Sequence, residues 1–249
     1  MPTDEPARNG RRPGDVSYLS LALEDVAAGE RFYGALLGWT FSPGQLGREQ
    51  GDDVTPQVGL WDGVGPGRER DHGAVLGFRV SDIGEAVARV RELGGRAADP
   101  ARRPYGLESA CRGVDGVPFF LHQLDDHPVD DGTDLTNGRR HGDVAYLTLE
   151  VPALAAAEAF YGGLFGWTFA AGSVPSGLQI TGVTPMAGLW QGATPGVVPA
   201  YRVDDIAAAV DLVVQLGGTP GTVERRPYGL AADLCLDDQG VRFHLLQLP

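Results

Sequence analysis

The chain repeats itself. NGRRPGDVSYLSL at Asn9 returns as NGRRHGDVAYLTL at Asn137, and FYGALLGWTF at Phe32 returns as FYGGLFGWTF at Phe160, both 128 residues on. VGLWDG then matches AGLWQG, FRVSDI matches YRVDDI, and GVPFFLHQL matches GVRFHLLQL. RRPYGL is identical at Arg102 and Arg225, now 123 residues apart, so a loop in the second copy is shorter. Matches in one order over a whole half mean that one folding unit is written twice. The 249 residues therefore divide into two like domains rather than one large one. The boundaries read as a flexible arm (1–12), a first domain (13–124), a polar linker without hydrophobic periodicity (125–140) and a second domain (141–249).

A fainter repeat lies inside each half. LALEDVAAGERFYGALLGW and GFRVSDIGEAVARVRELGG share one plan: an extended segment, an acidic residue, a helical pattern, then glycine. Asp25, Asp82 and Asp205 stand where an N-cap belongs. Val26, Phe32, Leu36 and Leu37 fall near one helical face, as do Ile83, Val87, Val90 and Leu93. Gly38 and Gly94–Gly95 end these helices. Each half then reads as two βαβββ modules.

The formal charge of −13 argues against attraction to nucleic acid or to an anionic membrane. No apolar run is long enough to span a bilayer, and the first fifteen residues lack the apolar core of a signal peptide. Two cysteines, Cys111 and Cys235, without a CxxC motif, fit buried thiols in a reduced, cytoplasmic setting.

The order FYG…LGW, F/Y-R-V-x-D-I…GG, PYG and a last strand after D-G or D-x-G resembles the vicinal oxygen chelate superfamily, the glyoxalase, bleomycin-resistance and extradiol-dioxygenase group. The resemblance implies an α+β fold of two tandem domains. In each, paired βαβββ modules form a U-shaped sheet around a ligand pocket, with helices on the outer face. It also implies positions for metal ligands on the first strand, at the start of the second module and on the last strand. Those positions hold Tyr18, Val75 and Phe120 in the first half, and Tyr146, Val198 and His244 in the second. A divalent ion needs imidazole and carboxylate from several strands, so the expectation is a site without metal or other cofactor.

Strand alternation sorts the remaining residues. Leu19, Leu21 and Leu23 pack under a helix, which leaves Tyr18 for the concave face with Ser20 and Ala22. Tyr146, Thr148 and Glu150 take that face in the second half. Phe120 and His122 face the cleft, as do Arg242, His244 and Leu246, with Arg79 and Arg202 beside them. Trp61 and Trp190 end the GLW strands. Tyr105 and Tyr228 sit in the RRPYGL turns, whose arginines read as solvated. Aromatic area with a few polar groups suits a flat, partly apolar ligand. The HGD at His141 reads as linker.

Three functions compete. The leading one is a binding protein for an aromatic natural product or drug-like metabolite. It would act in resistance by sequestration or as an accessory to antibiotic biosynthesis, and the partner questions of a homodimer and a biosynthetic enzyme stay open. The second is an enzyme: a metal-independent isomerase, cyclase or lyase with Glu150 and His244 as base and acid, or a metal-dependent lyase or dioxygenase. The third is a structural module with a collapsed cleft. Glu150 aligns with Ala22 and His244 with Phe120, so the second half is expected to hold the more polar and selective pocket.

Overall fold

The computed structural model describes residues 14–43, 49–52, 54, 56–64, 71–125 and 138–249. The arm and most of the linker lie outside the described residues. In the first half, β1 (Val16–Ala22), α1 (Val26–Leu37), β2 (Thr40–Pro43), β3 (Glu49–Asp52) and β4 (Gln57–Trp61) form one module. The next comprises β5 (Gly73–Arg79), α2 (Ile83–Glu92), β6 (Arg96–Ala97), β7 (Ala101–Arg103), β8 (Gly106–Arg112) and β9 (Pro118–Leu124). The second half repeats the plan with β10 (Val144–Val151), α3 (Leu154–Phe165), β11 (Thr168–Ala171), β12 (Gly177–Thr181) and β13 (Ala187–Gln191). Its second module is β14 (Gly196–Arg202), α4 (Ile206–Gln215), β15 (Val223–Arg226), β16 (Gly229–Leu236) and β17 (Arg242–Gln247).

The first strands of the two modules join antiparallel, β1 to β5 and β10 to β14. β1 also runs parallel to β4, and β5 parallel to β9, which curls each sheet around a concave face. The fold is α+β, with its helices on the convex side. Among the described residues no helix is long and apolar enough to cross a membrane.

Local chemistry explains the helix ends. Asp25, Asp82 and Asp205 accept N–H bonds from Ala28, Glu85 and Ala208. Ala153, at the matching place before α3, has no side-chain cap. Gly38 and Gly166 close α1 and α3 in the left-handed conformation that L side chains resist.

The two halves share one core. α1 packs against the second half: Phe32 and Tyr33 meet Phe243 edge-on at 6.1 and 6.4 Å, and Tyr33 stacks on Trp39 at 5.6 Å. α3 returns the arrangement, with Phe160 and Tyr161 6.3 and 6.5 Å from Phe119 and Tyr161 5.5 Å from Trp167. Trp39 Nε1 donates to Gly142 O, and Trp167 Nε1 to Gly14 O. Among the described residues Ala74 pairs with Val197 and joins the two sheets. The repeated FYG…LGW helix is thus the contact between halves. His141, expected in the linker, packs here too: its Nε2 lies 3.1 Å from Leu36 O, and Gly142 sits against Trp39.

RRPYGL is a tight hairpin. Its arginines end β7 and β15, Pro–Tyr makes the turn, and Arg103 pairs with Gly106 as Arg226 pairs with Gly229. The arginines do more than face solvent: Arg102 pairs with Asp125, Arg103 with buried Glu108, and Arg226 with Glu224 and Asp233.

Candidate functional site

The second half keeps a partly open concave face. Ala200, Ala231 and Leu246 form an apolar floor with Ala145, Tyr146 and Leu248 around it. Tyr146 donates its hydroxyl to Gln179 Oε1 at 3.0 Å, and burial, then Tyr228, pushes its pKa up to about 12. Trp190 and Arg202 are half-buried, and Tyr228, at the rim, is 42% exposed. Arg202 donates to Gly138 O at 2.8 Å and so ties down the start of this half.

His244 owes its setting to an irregularity in β16. The register slips between Ala232 and Cys235, where Leu234 takes φ 57°. This is a β-bulge, one extra residue relative to β8. It brings the Leu234 N–H to His244 Nδ1 at 3.0 Å and leaves Asp233 Oδ1 3.3 Å from the same nitrogen. Arg226 holds the other Asp233 oxygen at 2.7 Å. Burial lowers the His244 pKa, against Asp233, which raises it. Neutral His244 therefore accepts at Nδ1 and carries its proton on Nε2.

Glu150 departs from expectation. Its carboxylate is buried, ion-paired with Arg242 and hydrogen-bonded by Thr194 N–H at 2.8 Å. Arg242 also donates to Thr194 O. Gly192 is needed here, because a Cβ would lie 2.1 Å from Glu150 Oε1. The clamped carboxylate ties the loop at Thr194 to β17, and Glu150 and His244 sit in separate hydrogen-bond networks.

The first half also differs from its reading. Trp61 and Phe120 are buried and pack with Ala22, Val75 and Ala110. Their rings meet edge-on at 6.1 Å. They fill the concave face as core, because small Ala22 faces Trp61 where Glu150 faces Trp190. Tyr18 and Arg79 are half-buried on the same face.

That half is not the less polar one. Glu108, absent from the sequence reading, stands cross-strand from His122, with its Oε2 3.5 Å from His122 Nε2. Tyr105 donates its hydroxyl to Glu108 Oε2, and Arg103 reaches Oε1 at 3.3 Å. His122 stacks on Phe120 at 6.1 Å and meets Tyr105 edge-on at 5.7 Å. The signal was present: counting back across the turn at Gly113–Gly116 places Glu108 opposite His122.

The positions that the resemblance assigns to metal do not suit one. Val75, Val198 and Phe120 have no donor atom, and Tyr146 is engaged with Gln179. Among the described residues no three His, Cys, Asp or Glu converge. A groove of about 750 Å³ between α2 and α3, with Asp82, Arg89 and Gly163 on its walls, lies away from both concave faces.

Residues 19–122 match the glyoxalase-like domain family. The second half repeats the same paired βαβββ plan. This chain has the vicinal oxygen chelate fold. A catechol 2,3-dioxygenase has a similar fold, with TM-score 0.63 and 15% identity over 96% of this chain and 90% of that one. The Mn(II)-bound glyoxalase from Novosphingobium aromaticivorans gives TM-score 0.65 at 15% identity, over 95% and 82%. In sequence, the chain is 29% identical to the anthracycline biosynthesis protein DnrV of Streptomyces peucetius, over 95% of its own length and 94% of that protein. It is 32% identical to the anthracycline biosynthesis protein DauV of Streptomyces sp. (strain C5), a match spanning 45% of this chain and 42% of DauV.

Proposed function

We propose that this glyoxalase-like chain binds a planar aromatic natural product in the concave face of its second half. It acts there without metal, as an accessory to the making of that compound or by sequestering it. The observation that carries this is the contrast between the two faces. The first is packed with Trp61 and Phe120, whereas the second leaves Tyr146, Trp190, Arg202 and His244 half-buried over an apolar floor. Aromatic side chains supply contact area, and the Nε2–H of neutral His244 supplies a donor for a carbonyl or phenolate oxygen. The likeness to DnrV along nearly the whole chain supports the ligand class, because that relative is named for anthracycline biosynthesis. The ion pairing of Glu150 with Arg242 weighs against an acid–base enzyme built on Glu150 and His244.

The test is a thermal-shift series with planar polyketide quinones, followed by calorimetric titration. Ligand at a hundredfold over Kd stabilises by about 2.7 kcal/mol, a rise in Tm of roughly 5–10 °C for a chain of this size. His244→Ala should weaken binding by about 1–3 kcal/mol, roughly five- to a hundredfold. A panel that leaves Tm unmoved, or a ligand bound equally by His244→Ala and Tyr146→Ala, refutes the reading.

A further inference from the structure

The strand after RRPYGL differs between the halves by one residue. Four residues separate Leu230 from Cys235, where three separate Leu107 from Cys111. On both sides of the insertion the register is the same. Cys235 faces Phe243 as Cys111 faces Phe119, and Ala231 faces Leu246 as Glu108 faces His122. β8 pairs with β9 without a slip, so neither the hairpin nor the core needs the extra residue. The insertion also strains the backbone. Leu234 takes φ 57°, a left-handed setting that a leucine resists, and its side chain is 48% exposed. What the insertion adds is a backbone N–H beside His244, whose counterpart in the first half is Phe120.

We infer that the Asp233–Leu234 bulge is a positioning device: it fixes the His244 ring with Nε2–H as the free donor, so that the second face selects planar aromatics bearing a carbonyl oxygen. Leu234 N–H donates to Nδ1 at 3.0 Å, which occupies that lone pair and leaves the ring proton on Nε2. Asp233 anchors the bulge to β15. Its Oδ2 accepts from Arg226 at 2.7 Å, while its Oδ1 stands 3.3 Å from Nδ1. Burial lowers the pKa of the ring, Asp233 opposes this and Arg242 adds to it, so the ring is neutral near pH 7. His244 Nε2 meets no protein group among the described residues, and the side chain is 15% exposed, which leaves this N–H open to a ligand. Its neighbour on β14 is the small Ala200, with Tyr146 beyond it on β10. A donor fixed before the ligand arrives spares the cost of ordering it on binding. A ligand without an acceptor leaves the N–H unpaired, which discriminates more sharply than apolar fit does. Asp233 and Leu234 act through His244 and do not touch the ligand. The choice of ligand rests on the proposed function, whereas the state of the ring does not.

The ring is read first, in the full ¹⁵N-labelled chain without ligand. At neutral pH the His244 Nε2 signal should lie where protonated imidazole nitrogens resonate, and Nδ1 where unprotonated ones do. Leu234→Gly keeps the N–H and relieves the strain, so it should keep this pattern. Deleting Leu234 gives β16 the length of β8 and should draw both nitrogens toward a common, averaged position. Should the deletion fail to fold, Asp233→Ala, which frees the bulge from Arg226, takes its place with the same expected loss. The binding probes are 9-fluorenone and fluorene, one flat ring system with and without a carbonyl. The ratio of fluorenone to fluorene affinity should be roughly five- to a hundredfold higher in the wild type and in Leu234→Gly than in the deletion. A wild-type ring with its proton on Nδ1, or on both nitrogens, overturns the inference. So does a variant without the bulge that keeps the wild-type pattern. Equal affinity ratios beside an intact wild-type pattern overturn the selection for a carbonyl. If neither compound binds the wild type, the proposed function fails, and the ¹⁵N patterns alone decide the positioning.

Discussion

The two FYG helices dock symmetrically, but their hydroxyls do not, and this gives a sharp test. Tyr33 is fully buried and donates to Asp237 Oδ2 at 2.9 Å, across from one half to the other. Oδ1 of Asp237 is served by the N–H groups of Gln239 and Val241, so among the described residues Tyr33 is the partner of Oδ2. Tyr161 approaches Asp115 from the other side, close enough for each to act on the other's pKa, but without a well-formed hydrogen bond. Tyr33→Phe therefore leaves a buried carboxylate oxygen unserved, at a cost of about 1–3 kcal/mol. Tyr161→Phe gives up only this looser approach to Asp115, and its cost should fall below that of Tyr33→Phe, at about 1 kcal/mol or less. The assay is urea unfolding followed by both fluorescence and circular dichroism. A double-mutant cycle of Tyr33→Phe with Asp237→Asn should give a coupling of about 1 kcal/mol or more, and Tyr161→Phe with Asp237→Asn none. Equal costs for the two tyrosines, or no coupling to Asp237, would refute the assignment of this bond as a link between the halves.

Other outcomes follow from the same structure. Asp237 and Asp115 have raised pKa values, first through burial. Their folded values lie above the unfolded one, so stability should fall as pH rises from about 4 through the raised values, and Asp237→Asn should flatten that fall in ΔG measured against pH. His244 has the opposite sign. Its lowered pKa gives stability that is present above about 6.5 and lost as pH drops through the folded value, so His244→Gln should reduce the acid-side loss. Both cysteines are buried, and burial raises the Cys235 thiol, so a disulfide reagent should label neither until the chain unfolds. Because one apolar core runs through both halves, a protease cut between 125 and 138 should leave a nicked complex on gel filtration, and separated halves would contradict the shared core.

The repeat, its period of about half the chain and the Asp and Gly helix ends were legible in the sequence. Each rests on local chemistry: a side chain capping its own helix, a glycine free to take positive φ, leucines alternating along one strand. Which residues share the concave face was also legible, since a strand's alternation is fixed by its pleat. Tertiary structure decided how that face is used. Phe120 and Trp61 sit on the face the alternation gives them, but they fill it, because the space depends on Ala22 and Val75 from other strands. Glu150 was read as a base and is clamped by Arg242, ninety-two residues away. Glu108 meets His122 only through the pairing of β8 with β9, and the single-residue bulge at Leu234 gives His244 a backbone partner. The sequence showed an apolar face on the FYG helix but not that Phe32 and Tyr33 on it meet Phe243 of the other copy. Caps and alternation are properties of a few neighbouring residues, whereas occupancy, ion pairing and docking depend on groups the chain brings together only when it folds.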